Sequence, residues 1–388
     1  EAKAKDGYAL DVAEKSVALT YRGQEVSVFD EQIDVVDAPT ELQIVKVSSI
    51  DGETPIEGAT FRIWNDAGDF DETLATDAGG IIALKYLKHG SYHMQEVAAA
   101  DGYVIDDVDD EGKARIHDFQ VNDQGMVAMV DEPMQAKLAI VVENMPKTMG
   151  TTATDGDSGT HEGQARSDMS IIDSISYTGC IPGETYKVTG KLMGKSTGQP
   201  ALDAEGNEIT TEKEFVAEGF EGSIDIEFRF DGSGLAGASL VAFESMLDAE
   251  GSIYMSHEDI GDEGQTVNVV DIATKAHDAE TGTNQGTVSE AATLVDEVSF
   301  EGLTPGNRYK LFTMLVDKAT GEPVEDAVGN PMVIETDFVP EAPDGTVEVV
   351  FELDTADLAG KSLVFFEKLA DDGDNVIAKH EDIDDEGQ

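Results

Sequence analysis

A nine-residue stretch, His257 to Gln265 reading HEDIGDEGQ, returns as His380 to Gln388 reading HEDIDDEGQ. The copies lie 123 residues apart (380 − 257), and other polar residues keep that spacing: Thr151 with Thr274, Asp173 with Asp296, Glu244 with Glu367. Counted from its own Thr, the Asp follows after 22 residues, the Glu after 93 and the Gln after 114 in both copies. Loops ordinarily absorb insertions, so a polar set held in register across tandem copies points to residues that must meet in space.

At 388 residues the chain exceeds one core and suits three or four domains. Its 81 acidic and 25 basic residues leave a formal charge of −56. Such a surface repels phosphate backbones and anionic lipid, which argues against nucleic-acid or membrane-surface binding. A solvated, self-repelling exterior is the simpler meaning of the charge. Cys180 is the single cysteine, so no intrachain disulfide staples the domains. No run reaches the roughly 18–20 apolar residues of a membrane span, and no signal-peptide pattern is present.

EAKAKDGY at 1–8 matches EVAAADGY at 96–103, so residues 1–39 read as the second half of a truncated domain. The next domain, 40–147, contains short alternating runs at 42–47, 59–64, 91–97, 114–121, 126–130 and 137–144, separated by Asp-Gly turns. Period-2 alternation with such turns predicts an all-β antiparallel sandwich. The longer repeats, 148–270 and 271–388, each carry a Pro-Gly turn before a Tyr strand and a nearly all-apolar strand late in the copy. The connection from Gln265 to Thr274 is short and strand-like, with no flexible hinge, which predicts sandwiches stacked end to end.

Several polar residues fall on faces that the alternation assigns to the core. Lys46 shares a face with Leu42 and Ile44, Glu96 with Tyr92 and Met94, and Asn144 with Ile140 and Val142. Burial drives an unpaired Lys or Glu toward its neutral form. Strand-end residues whose heads reach solvent would be the bland explanation, but three in one small domain weaken it. A neutral Lys46 amine is a nucleophile for the Asn144 carboxamide, with a protonated Glu96 polarising the carbonyl and moving protons. The product is an amide cross-link with loss of ammonia. In the repeats, Asp173 and Asp296 likewise lie on apolar faces, and Glu244 and Glu367 lie inside apolar strands. Two carboxyls sharing a dry site cannot both ionise easily, so one holds a proton. His257 and His380 complete an acid–base set, beside a hydroxyl from Thr151 or Thr274 and a carboxamide from Gln265 or Gln388.

The stretches IVKVSSIDGETPIEGATFRI (44–63), SYHMQEVAAADGY (91–103) and VVENMP (141–146) resemble the collagen-adhesin B-type, SpaA-like domains of Gram-positive surface proteins. That resemblance implies a Lys46–Asn144 isopeptide bond with Glu96 as catalyst. In the truncated domain it puts Glu1 and Asp37 at the catalyst and acyl-acceptor positions, without their Lys. TTATD (151–155) and TKAHD (274–278), VAFE (241–244) and VFFE (364–367), and the two HEDI stretches resemble the VaFE-repeat, or Thr–Gln ester-bond, domains of adhesin stalks. This second resemblance implies esters Thr151–Gln265 and Thr274–Gln388. Asp173, Glu244 and His257 would assist the first, and Asp296, Glu367 and His380 the second.

Together the resemblances imply tandem Ig-like or prealbumin-like β-sandwiches in a stalk segment of a secreted, cell-wall-anchored adhesin or pilus-like protein. Such a segment needs no cofactor or metal. Its host ligand and peptidoglycan attachment are expected through other parts of the protein. A turnover glycosidase would use paired carboxyls as well, but small tandem domains with one Trp offer little to stack a sugar on. Asp155-Gly-Asp157 and Asp371-Asp372-Gly373-Asp374 fall short of a calcium loop and read as turns. A ligand-binding adhesin module is the remaining competitor. It calls for a non-repeated insertion or aromatic patch that the sequence lacks.

Overall fold

The computed structural model describes residues 3–18, 20–21, 23–25 and 32–387. Glu1 and Gln388 lie outside the described residues. Among those described there is no α-helix, and two compact units emerge. The first comprises 1–148 with 178–182 and 219–221, and the second comprises 149–177, 183–218 and 222–388.

In the first unit, two sheets face each other across one core. One sheet orders the strands Val127–Met129, Ile116–Val121, Gly90–Ala98, Thr60–Asn65 and Asp71–Ala75. The other orders Ile81–Lys85, Glu41–Ser48, Lys137–Pro146 and Tyr103–Val104. Alternation settles which side chains turn inward: Leu42, Ile44, Met94, Ile140 and Val142 are buried with Phe61, Tyr92 and Phe119. The expectation of an antiparallel sandwich fails at one pair. Glu41–Ser48 and Lys137–Pro146 run parallel, with Val142 opposite Lys46. Alternation reports the face of a residue and is blind to strand direction. Residues 3–39 form only the pair Tyr8–Ala9 with Ala38–Pro39 as regular structure among the described residues.

The second unit holds most of the first long repeat and all of the second. In the first repeat, Thr148–Asp155, Met169–Thr178 and Glu221–Phe230 form one sheet. Thr185–Gly194, Ser239–Leu247 and Ile253–His257 belong to the other. The expected strand-like connection is a single 13-residue strand, Thr266–Asp278. Its first residues pair with Ser239–Val241 of the first repeat, and its last pair with Ala292–Glu301 of the second. No hinge separates the copies.

A buried carboxylate reinforces this join. Glu162 Oε1 accepts from Tyr309 Oη at 2.6 Å, Thr304 Oγ1 at 2.6 Å and Thr304 N at 3.2 Å. The Gln164 side chain pairs with the Lys379 backbone, accepting from its N at 3.1 Å and donating to its O at 2.7 Å. Glu162→Ala strands the buried Tyr309 hydroxyl. It should lower the second unit's stability by about 1–3 kcal/mol in chemical denaturation.

Candidate functional site

Lys46 and Asn144 come from the two parallel neighbours of one sheet, and Glu96 comes from the facing sheet. Lys46 and Asn144 are fully buried and Glu96 nearly so. Lys46 Nζ lies 2.7 Å from Glu96 Oε2, 2.5 Å from Asn144 Oδ1 and 2.8 Å from the Glu143 carbonyl oxygen. Asn144 Nδ2 donates to Glu96 Oε1 at 2.6 Å. One carboxyl therefore touches both the amine and the amide nitrogen. Burial pushes the Lys46 pKa down and the Glu96 pKa up, each against the pull of the other's charge. Both shifts favour a neutral pair in which the amine has a free lone pair. Phe61 closes the site, with its ring 5.6 Å from Nζ. Asp106, partly buried, stands near enough to act on both charges. Nothing in the sequence pattern marked it.

Asp37, from the truncated domain, is half-buried, and its Oδ1 accepts from the Asp11 backbone N at 3.2 Å. Its proposed companion Glu1 is outside the described residues.

In the first long repeat, Thr151 and Asp173 sit on neighbouring strands of one sheet. Glu244 projects from the other sheet, and His257 stands directly opposite it on the next strand. Gln265 ends a single 3-10 turn, Glu263–Gln265, and its Nε2 donates to Glu244 Oε2 at 2.5 Å. Asp173, Glu244 and Gln265 are all fully buried. The Asp173 and Glu244 carboxyls are hydrogen-bonded to each other and so share a proton, and the Thr152 backbone N–H also donates to Asp173. Burial, compounded by the Asp173 charge, pushes the Glu244 pKa up to about 10, and burial also raises that of Asp173. Glu244 thus carries the proton at neutral pH, and Asp173 is the partner that accepts. The Thr151 hydroxyl lies against Glu244.

The second repeat rebuilds this arrangement. Thr274 Oγ1 donates to Asp296 Oδ1 at 2.7 Å, and Asp296 and Glu367 are fully buried. His380 is opposite Glu367. Gln388 lies outside the described residues, but Gly387 O accepts from Ala276 N at 3.1 Å, beside the Thr274 backbone.

Each His has a further partner that the sequence reading passed over. His257 Nε2 is 3.0 Å from Asp262 Oδ2, and His380 Nε2 is 2.8 Å from Asp385 Oδ2. Asp262 Oδ1 also caps the turn that presents Gln265, accepting from Gly264 N at 2.8 Å. One carboxylate thus orients the imidazole and the carboxamide together. The signal was available, because this Asp sits five residues after the His in both copies of the repeated stretch.

These shifts predict a pH dependence. In Thr151→Val, which has no hydroxyl to react, the raised Glu244 pKa makes its stability contribution full below about 4.5 and lost as pH climbs toward about 10. Urea denaturation of that variant should show stability falling by up to about 1.4 kcal/mol per pH unit across this window.

Comparison with known proteins follows the same division. A family model described as T-Q ester bond containing domain matches residues 147–269 and again 270–388, and a SpaA prealbumin-like fold domain model matches 40–133. No curated protein matches the sequence. Among solved structures, the major pilin subunit of Bacillus cereus aligns at 15% identity, covering 86% of this chain and 87% of that one, with TM-score 0.30. The full-length major pilin of Corynebacterium diphtheriae aligns at 13% identity, covering 87% and 90%, with TM-score 0.30. An adhesin from Mobiluncus mulieris containing disulfide, isopeptide and ester bond cross-links aligns at 13% identity, covering 58% and 80%, with TM-score 0.26.

Proposed function

Because this chain belongs to the family of T-Q ester bond containing domains, we propose that it is a load-bearing stalk segment of a bacterial surface adhesin or pilus-like protein, closed by self-formed covalent bonds. It is a structural protein and not a turnover enzyme. The observation that carries the reading is Glu96 bridging Lys46 and Asn144 inside a dry core.

In the first unit, the neutral Lys46 amine attacks Asn144 Cγ. Glu96 takes a proton from Nζ and delivers one to Nδ2, so that ammonia leaves and an amide remains. In each repeat, the Thr hydroxyl attacks the Gln carboxamide carbon. Asp173 or Asp296 receives the hydroxyl proton, and Glu244 or Glu367 supplies one to the departing nitrogen. His257 and His380, held by Asp262 and Asp385, stabilise the charge that develops. Each bond forms once, with loss of one ammonia and no redox change.

The placement of the bonds suits tension. The isopeptide ties two parallel neighbouring strands, and the two ester sites share the strand Thr266–Asp278. Load entering at Thr151 passes through Gln265, along that strand, and out through Thr274. An extracellular, wall-attached setting fits this role, with host ligand and peptidoglycan engaged by other parts of the protein.

Intact mass of the denatured protein, before and after hydroxylamine, tests the reading. Three missing ammonias are expected, with hydroxylamine opening two of the bonds and sparing the third. A mass equal to that of the unmodified sequence overturns it.

A further inference from the structure

Two adjacent acids in the loop after Tyr103–Val104 meet opposite fates. Asp107 is well partnered: its Oδ1 accepts from Arg115 Nε at 3.0 Å, and its Oδ2 lies 2.6 Å from His117 Nε2. The Oδ1 of Asp106 is buried and meets no hydrogen-bond donor. Tyr103–Val104 pairs with Met145–Pro146, on the edge of the Asn144 strand away from Lys46. That pairing carries the loop alongside the reacting groups. The Met145 backbone N–H, in the peptide that follows Asn144, hydrogen-bonds to the Asp106 carboxyl. Lys46 thus flanks the Asn144 strand on one side and Asp106 on the other, with Glu96 reaching in from the facing sheet.

Burial raises the Asp106 pKa, while backbone N–H donors and the Lys46 charge pull it down. A neutral Asn would offer Met145 the same acceptor, and a buried oxygen without a donor costs stability. What the aspartate adds at this place is charge. Lys46 and Glu96 both feel it. Asp107 also reaches Lys46, but Arg115 and His117 offset its charge. In its reactive form the Lys46–Glu96 pair is a neutral amine and a neutral acid, with one proton to pass on. Losing that proton to solvent would leave the Glu96 carboxylate beside a second carboxylate in a dry core, where like charges repel strongly.

We infer that Asp106 is a positioning residue of the cross-linking site, a fixed negative charge that keeps the transferable proton on the Lys46–Glu96 pair until Asn144 takes it up. The inference rests on the cross-link reading of the Lys46 site. It assigns a role to the one carboxyl there that the proposed chemistry leaves unused.

Asp106→Asn tests it, because the substitution keeps an acceptor for Met145 and removes the charge. In an Asn144→Ala background the full chain has no acyl group for Lys46, so the pair stays free to titrate whether or not the native link forms. NMR of labelled glutamate follows the Glu96 carboxyl, assigned by its loss in Glu96→Gln. Adding Asp106→Asn is expected to lower the pH midpoint at which the pair gives up its proton by at least about one unit. With Asn144 restored, chains released from a short translation pulse are denatured at intervals, and the Lys46–Asn144 linked peptide is quantified after digestion. Asp106→Asn should match the parent's rate well below the parent's midpoint and fall at least about tenfold short of it above. An unmoved midpoint overturns the inference. So does a rate loss that is equal at every pH, the result that lost support at Met145 alone would give. A shifted midpoint in a chain that never links supports the charge role and overturns the cross-link reading instead.

Discussion

Replacing Glu96 by Gln should leave the protein holding the ammonia that the parent loses, and lower the stability of the first unit by roughly 4–5 kcal/mol. The variant keeps both reactants, the shape of the side chain and a hydrogen-bonding head at the contact. It removes only the group able to exchange protons with Lys46 Nζ at 2.7 Å and Asn144 Nδ2 at 2.6 Å. Without that exchange the amine has no route to shed its proton, and the amide nitrogen remains a poor leaving group. The stability figure borrows the loop-entropy model for disulfides: the bond closes 98 residues, and opening it restores that freedom to the unfolded chain. Denatured intact mass reads the bond and chemical denaturation reads its worth. A variant that still loses this ammonia would remove Glu96 from the chemistry.

Glu244→Gln should abolish the first ester and leave the second intact. Glu244 is protonated at neutral pH, so a neutral carboxamide reproduces its charge and packing and lacks only the transferable proton. The variant is expected to retain one ammonia that the parent loses and to lack one hydroxylamine-sensitive bond. Digestion would place the change in the segment from Thr151 to Gln265. Opening that loop of 114 residues again costs roughly 4–5 kcal/mol. An ester that still forms at full yield would shift the proton-carrying role to His257, which stands across the strand from Glu244.

Much of both sites was legible because burial in a strand follows a local rule. Lys46, Glu96 and Asn144 alternate with Leu, Ile, Tyr, Met and Val, so each was assigned to a core face and each lies in the core. The repeat register singled out Asp173, Glu244 and their counterparts for a separate reason, since unrelated loops would not keep such spacings. Asp262 and Asp385 lay in plain view within the repeated stretch. Their role escaped because an acidic run on a charge-rich surface looks like solvation until the imidazole contact is seen. Asp106 and Glu162 had no such signal. Asp106 lies in an acidic loop, and Glu162 becomes Gln285 in the second copy, so neither alternation nor repetition marks it.

Taken alone, the sequence determined the all-β class, the number of copies, the inward faces and the polar residues that those faces bury. These follow from period-2 geometry and from residue chemistry, which act over a few positions. Tertiary structure decided the rest. It set Glu41–Ser48 parallel to Lys137–Pro146, brought Glu96 across from the opposite sheet, and fused the two repeats through one strand. Strand partner and direction are chosen by packing between segments nearly a hundred residues apart, and no local pattern carries that information.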